Sequence, residues 1–154
     1  MVRASGKAIL PMPKRANITG RHACGDTHEV VTVEGGPSTY RREPCDECPW
    51  RKDSRIGAFP AEAFRASANT AHDASLHMFG CHMTPSNRPQ TCAGFILKNS
   101  VHNLGVRIAS SSGRIDPSKV SSRVPLYDSY RDMAVANGVS ADDPALAKCR
   151  SDKD

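Results

Sequence analysis

The sequence predicts a small α+β domain: one β-hairpin and three or four helices, stapled by a metal. Three observations lead there. A β-branched run closed by Gly-Gly-Pro lies near the start, helical periods follow it, and four cysteines punctuate the intervening segments. The 154 residues make room for one domain, since domains commonly run to about 100–150 residues. Leu, Ile, Val and Phe together number only 26 of those 154. That share is below the roughly 20% at which a chain becomes doubtful as a self-sufficient core former. Something besides apolar burial is therefore expected to hold the fold.

The hairpin is read from Glu29-Val30-Val31-Thr32-Val33-Glu34, bounded by Gly35-Gly36-Pro37, with Ser38–Arg41 as the returning strand. Pro60 then opens a short helix over 61–68, proline being suited to a first helical turn. Met78 to Gln90 reads as loop, with Gly80, Pro85, Asn87 and Pro89 in it. From Thr91, a plausible N-cap, Leu97, Val101, Leu104 and Ile108 recur at steps of four, three and four, one face of a long helix that Ser110–Gly113 ends. A third helix is expected around 126–136, closed by Asn137-Gly138, and Asp143-Pro144 starts a last turn. In this reading Asn69 and Thr70 cap a helix end, while His102 and Asn103 face solvent.

The charge is uneven. The net charge is +5, and residues 1–23 carry Arg3, Lys7, Lys14, Arg15 and Arg21 with no acid, so the remainder is neutral. Residues 1–23 therefore read as a flexible basic arm, 24–150 as a single metal-binding domain and 151–154 as a charged tail. Such an arm suits nucleic acid, because each neutralised phosphate releases counterions; a solubilising tail with no partner is the plainer alternative. No apolar run approaches the ~18 residues of a membrane span. No secretory leader is read at the start, so a cytoplasmic, reducing environment is expected and the six cysteines point to thiolate chemistry.

Cys45 and Cys48 form a Cys-x-x-Cys pair in a turn after the strand, the spacing that lets two sulfurs address one ion. Cys81, in Phe79-Gly80-Cys81-His82, and Cys92, at the start of the expected long helix, supply a second pair. These four are the candidate ligands. The Cys48-Pro49 step and the dispersed second pair favour a [4Fe–4S] cluster over Zn²⁺, whereas His82 in place of Cys81 would favour zinc. Trp50 and Phe79 are placed to shield the centre. Cys24 and Cys149 read as ordinary thiols.

A metal-dependent hydrolase or deaminase is the rival reading, with His72, Asp73 or His82 near the metal. Pro44-Cys45-x-x-Cys48 matches half of a zinc-deaminase signature, but the His-x-Glu half is missing. His28 and Glu29 are adjacent, and His22 has Cys24 where the glutamate belongs. The better expectation is a non-enzymatic binding or regulatory protein. It would meet nucleic acid or an acidic partner through the arm and the Arg51-Lys52-x-x-Arg55 stretch.

Taken together, Pro44-Cys45-Asp46-Glu47-Cys48-Pro49-Trp50-Arg51, Phe79-Gly80-Cys81-His82 and Thr91-Cys92-Ala93-Gly94-Phe95 resemble a domain-of-unknown-function family of high-GC Gram-positive bacteria and their phages. The resemblance covers roughly residues 44–150. It implies a cytosolic protein of bacterial or phage origin and brings no activity with it.

Overall fold

A computed structural model describes residues 16–34 and 39–150. It is an α+β fold with one antiparallel hairpin, β1 (Asn17–Ala23) and β2 (Glu29–Glu34), followed by helices α1 (Ala61–Ser67), α2 (Ala93–Asn99), α3 (Leu104–Ser111) and α4 (Tyr130–Ala136). No helix is long and apolar enough to cross a membrane, among the described residues.

The hairpin pairs differently from the sequence expectation. β2 takes β1 as its partner, with Asn17 opposite Glu34 and Ala23 opposite Glu29, not the 38–41 segment. The turn closes through the Cys24 amide, which donates to the His28 carbonyl at 2.8 Å, and Gly25 supplies a φ of +93°. Asn17–Ala23, which its basic, Pro- and Gly-rich context and lack of a hydrophobic period place in the arm, is a strand. Of the arm's cations, Arg3, Lys7, Lys14 and Arg15 lie outside the described residues, while Arg21 ion-pairs with Glu29. A lone two-stranded ribbon is marginal in water. Here it leans on α1 and the segment just before it, through His22 Nε2 to Glu62 at 2.8 Å and the His28 ring edge-on to Phe59 at 5.8 Å.

α1 starts after Pro60 as the sequence predicts. The long helix expected from Thr91 is two helices, broken over residues 100–103. Asn103 causes the break: its side chain accepts from the Val106 amide at 2.9 Å and so caps a new helix. It also donates to the Thr70 and His77 carbonyls at 3.0 and 2.8 Å, and it is fully buried rather than facing solvent. The supposed apolar face does not become the core face, since Val101 is 81% exposed. α4 is shorter than expected, beginning at Tyr130 with Ser129 as its cap.

The main core gathers Trp50, Phe64, Phe95, Tyr130, Met133 and Leu146 around Cys45, Cys48, Cys81 and Cys92. Tyr130 ties α4 to α1 by donating to the Phe64 carbonyl at 2.5 Å. A second, smaller core of Ala93, Ile96, Ala109, Ile115 and Val120 lies under Tyr40 and Leu97.

Candidate metal centre

The Cys-x-x-Cys segment is two consecutive turns. The Cys48 amide donates to the Cys45 carbonyl, and the Arg51 amide to the Cys48 carbonyl, each at 3.1 Å. Ser54 Oγ and the Arg51 guanidinium lock the same two carbonyls from outside, at 2.7 and 3.3 Å. Both cysteines are buried as a result. Arg51 is part of this frame: its side chain is 17% exposed and grips Asp53 through two bonds of 2.7 and 2.8 Å. It is a structural cation, so the Arg51-Lys52-x-x-Arg55 stretch presents less free charge than the sequence suggested.

The second pair is positioned by a short ladder. The Cys81 amide donates to the Gln90 carbonyl at 2.7 Å and the Cys92 amide to the Phe79 carbonyl at 2.9 Å, around an isolated Gly80–Thr91 bridge. Antiparallel pairing with a period of two puts residues 79, 81, 90 and 92 on one face. Cys81 and Cys92 thus share a face with Phe79, which packs edge-on to Trp50 at 6.2 Å. On the other side of Thr91, the Thr91 amide donates to the Thr39 carbonyl and the Arg41 amide to the Thr91 carbonyl, both at 3.0 Å. That pairing draws the strand leading to Cys45 against the ladder.

The four sulfurs meet in pairs. Cys48 Sγ lies 3.7 Å from Cys92 Sγ, and Cys45 interacts directly with Cys81. Burial, and then the charge of Cys81, push the Cys45 thiol up to about 12. In the other pair the contact with Cys92 holds Cys48 below the ordinary thiol range, while the same contact and then burial raise Cys92 well above it. Backbone amides favour the thiolates, Glu47 at Cys45, Trp50 and Arg51 at Cys48, and Phe95 at Cys92. Thiolates are the metal-binding form, and such outer contacts orient them. No three His, Cys, Asp or Glu side chains among the described residues already stand as a preformed metal site.

The remaining candidates sit elsewhere. His82 turns Nε2 toward Glu47 at 3.6 Å and its ring edge toward Phe59 at 4.9 Å. His72 bridges to Cys149, and Asp73 binds Arg150 at 2.6 Å, so these two belong to the C-terminal segment. Cys24 and Cys149 are buried and free, with no disulfide joining any of the six cysteines. Sequence reasoning puts Asn103 in solvent and Tyr130 on the apolar stripe of its helix, without the partners they reach 33 and 66 residues away; no local signal marks such contacts.

These features define a small, thiol-rich α+β domain. Residues 40–150 match the model of a family of unknown function (DUF6283), and the chain belongs to that family. The β1–β2 hairpin precedes the matched region. No curated protein and no solved structure matches the chain.

Proposed function

We propose that the chain is a non-enzymatic, metal-centred binding protein in which Cys45, Cys48, Cys81 and Cys92 hold one ion, Zn²⁺ fitting best. The observation that carries the reading is a pair of buried thiol contacts within one core cluster, Cys48 with Cys92 at 3.7 Å and Cys45 with Cys81, drawn from three chain segments. A tetrahedral ion with Zn–S bonds of about 2.3 Å spaces its sulfurs about 3.8 Å apart. A [4Fe–4S] cluster binds each thiolate to a different iron and spreads the sulfurs more widely, so the close pair favours a single ion over the cluster.

Four thiolates complete a tetrahedral ion and leave no position for water or substrate, as in structural zinc sites. A hydrolase or deaminase needs that open position. The ion's task in this reading is to join the knuckle, the 79–81 segment and the start of α2. Structural zinc contributes on the order of 10–16 kcal/mol of apparent binding free energy. A whole domain is stable by only about 5–15 kcal/mol, so the site decides whether the domain folds.

The test is metal analysis of protein purified without added metal, followed by chelation. The expected result is one zinc per chain, a colourless solution, and cooperative unfolding when the metal is withdrawn. A brown protein carrying iron and sulfide would reject the single ion; a folded, metal-free protein would reject the centre altogether.

A further inference from the structure

A cleft of about 520 Å³ opens beside the small core, lined by Tyr40, Arg41, Arg42, Glu43, Lys119 and Ser121 with Gln90. The cleft is a shallow, open depression on the surface. Its floor is rigid. The 39–43 segment is clamped on one side by the Thr39–Thr91 and Arg41–Thr91 hydrogen bonds and on the other by the Ser121 amide, which donates to the Arg42 carbonyl at 2.9 Å. Tyr40 rests on the second core, and the Arg42 guanidinium lies 5.8 Å from the centre of its ring. Arg42 and Lys119 are exposed.

The carboxylates in and beside the cleft do not cancel its charge. Glu43 is engaged by Arg123 at 3.4 Å, and Asp116 lies 3.9 Å from Lys119. Arg41, Arg42 and Lys119 line the cleft and Arg123 borders it, against these two acids, an excess of two positive charges. Cations bordering an aromatic ring, with amide and hydroxyl groups between them, are what single-stranded nucleic acid engages: phosphates meet the cations, and bases meet the ring or its stacked guanidinium. An acidic peptide would use the charge but has no use for the ring. Arginines on a pre-ordered backbone also lose less freedom on binding.

We propose that this cleft is the contact surface for single-stranded nucleic acid, holding a nucleotide unit between Arg41, Arg42 and Lys119 beside Tyr40. The inference names the partner surface of the binding role proposed above and rests on that role, not on the identity of the metal.

The test is fluorescence anisotropy with a labelled twelve-nucleotide oligothymidylate, on full-length protein whose metal content is measured in the same sample. The wild type should bind with a negative dependence on salt. An Arg41→Ala/Arg42→Ala double variant should weaken binding at least tenfold and flatten the salt slope by about 1–2, since each phosphate contact on a single strand contributes roughly 0.7. Tyr40→Leu should weaken binding severalfold at unchanged salt slope, and Lys148→Ala should match the wild type. No binding by folded wild type, or equal binding by the double variant, overturns the cleft; the latter moves the contact to the N-terminal cations. Polyglutamate competing as well as oligonucleotide overturns the nucleic-acid assignment, and so does capture of free nucleotide without the polymer. Metal content fails or holds independently of all these outcomes.

Discussion

Gly94 lies directly against Trp50: a methyl group on its Cα would stand 2.6 Å from Trp50 Cβ and 2.8 Å from Cγ. This contact joins the first turn of α2 to the knuckle, two residues from each of Cys48 and Cys92. Trp50 is fully buried among Phe79, Phe95 and Tyr130, so its ring has nowhere to retreat. Gly94→Ala is therefore expected to destabilise by about 2–3 kcal/mol through overpacking, despite alanine's better helix propensity. Urea unfolding of the metal-loaded protein measures it. An unchanged midpoint would show that the two segments are not pressed together.

Asn103 is the polar keystone of the break between α2 and α3. Replacing it with alanine removes the α3 cap and leaves the Thr70 and His77 carbonyls without their buried donor. The expected cost is roughly 3 kcal/mol, from one lost cap and two orphaned acceptors. Asn103→Asp keeps an acceptor for the Val106 amide but turns oxygen toward both carbonyls, and should not rescue stability. Rescue by aspartate would mean that capping alone sets the cost.

Asp143 caps the last turn through the Ala145 amide at 2.9 Å and bonds Arg65 of α1 at 2.8 Å. The Arg65 guanidinium, and then that amide, hold its carboxyl below the usual carboxylate range. A depressed folded-state pKa contributes stability that is present above the unfolded value near 3.9 and is lost as pH falls through the folded value. Asp143→Asn, which can still cap, should thus be less stable than wild type at pH 7, with the gap closing below about pH 3.9. Paired denaturation curves at the two pH values check this, and a gap that persisted in acid would remove the ion pair as its cause.

Serine replacements divide the six cysteines into two groups. Cys45→Ser, Cys48→Ser, Cys81→Ser and Cys92→Ser should each lower metal content and unfold the domain in parallel. Cys24→Ser and Cys149→Ser should retain full metal. Burial also pushes the Cys149 thiol up to about 11, so it should resist alkylation at pH 8 while the protein is folded. Loss of metal in the Cys149 variant, with folding intact, would redraw the ligand set.

The legible parts of this fold are those whose signals are local. Pro60 announces α1, Asp143-Pro144 announces the final turn, and the Cys-x-x-Cys spacing announces the knuckle. The strand Asn17–Ala23 escaped because its residues are mostly exposed and polar, with Gly20 at the irregularity in the pairing and no alternation to read. The split of the long helix escaped because the interruption is about one turn long. The apolar period therefore continues in phase across it, and only the distant partners of Asn103 reveal the break. Composition also understated the core. Counting Leu, Ile, Val and Phe leaves out Trp50, Tyr130, Met133 and the four cysteines, which make up much of the buried cluster.

X-ray absorption at the edge of the copurifying metal tests the central claim most directly, because it counts neighbouring atoms by element and distance. The account predicts a single shell of four sulfurs at about 2.3 Å around zinc, with no second metal nearby. Nitrogen or oxygen in that shell, or a neighbouring iron, would contradict it.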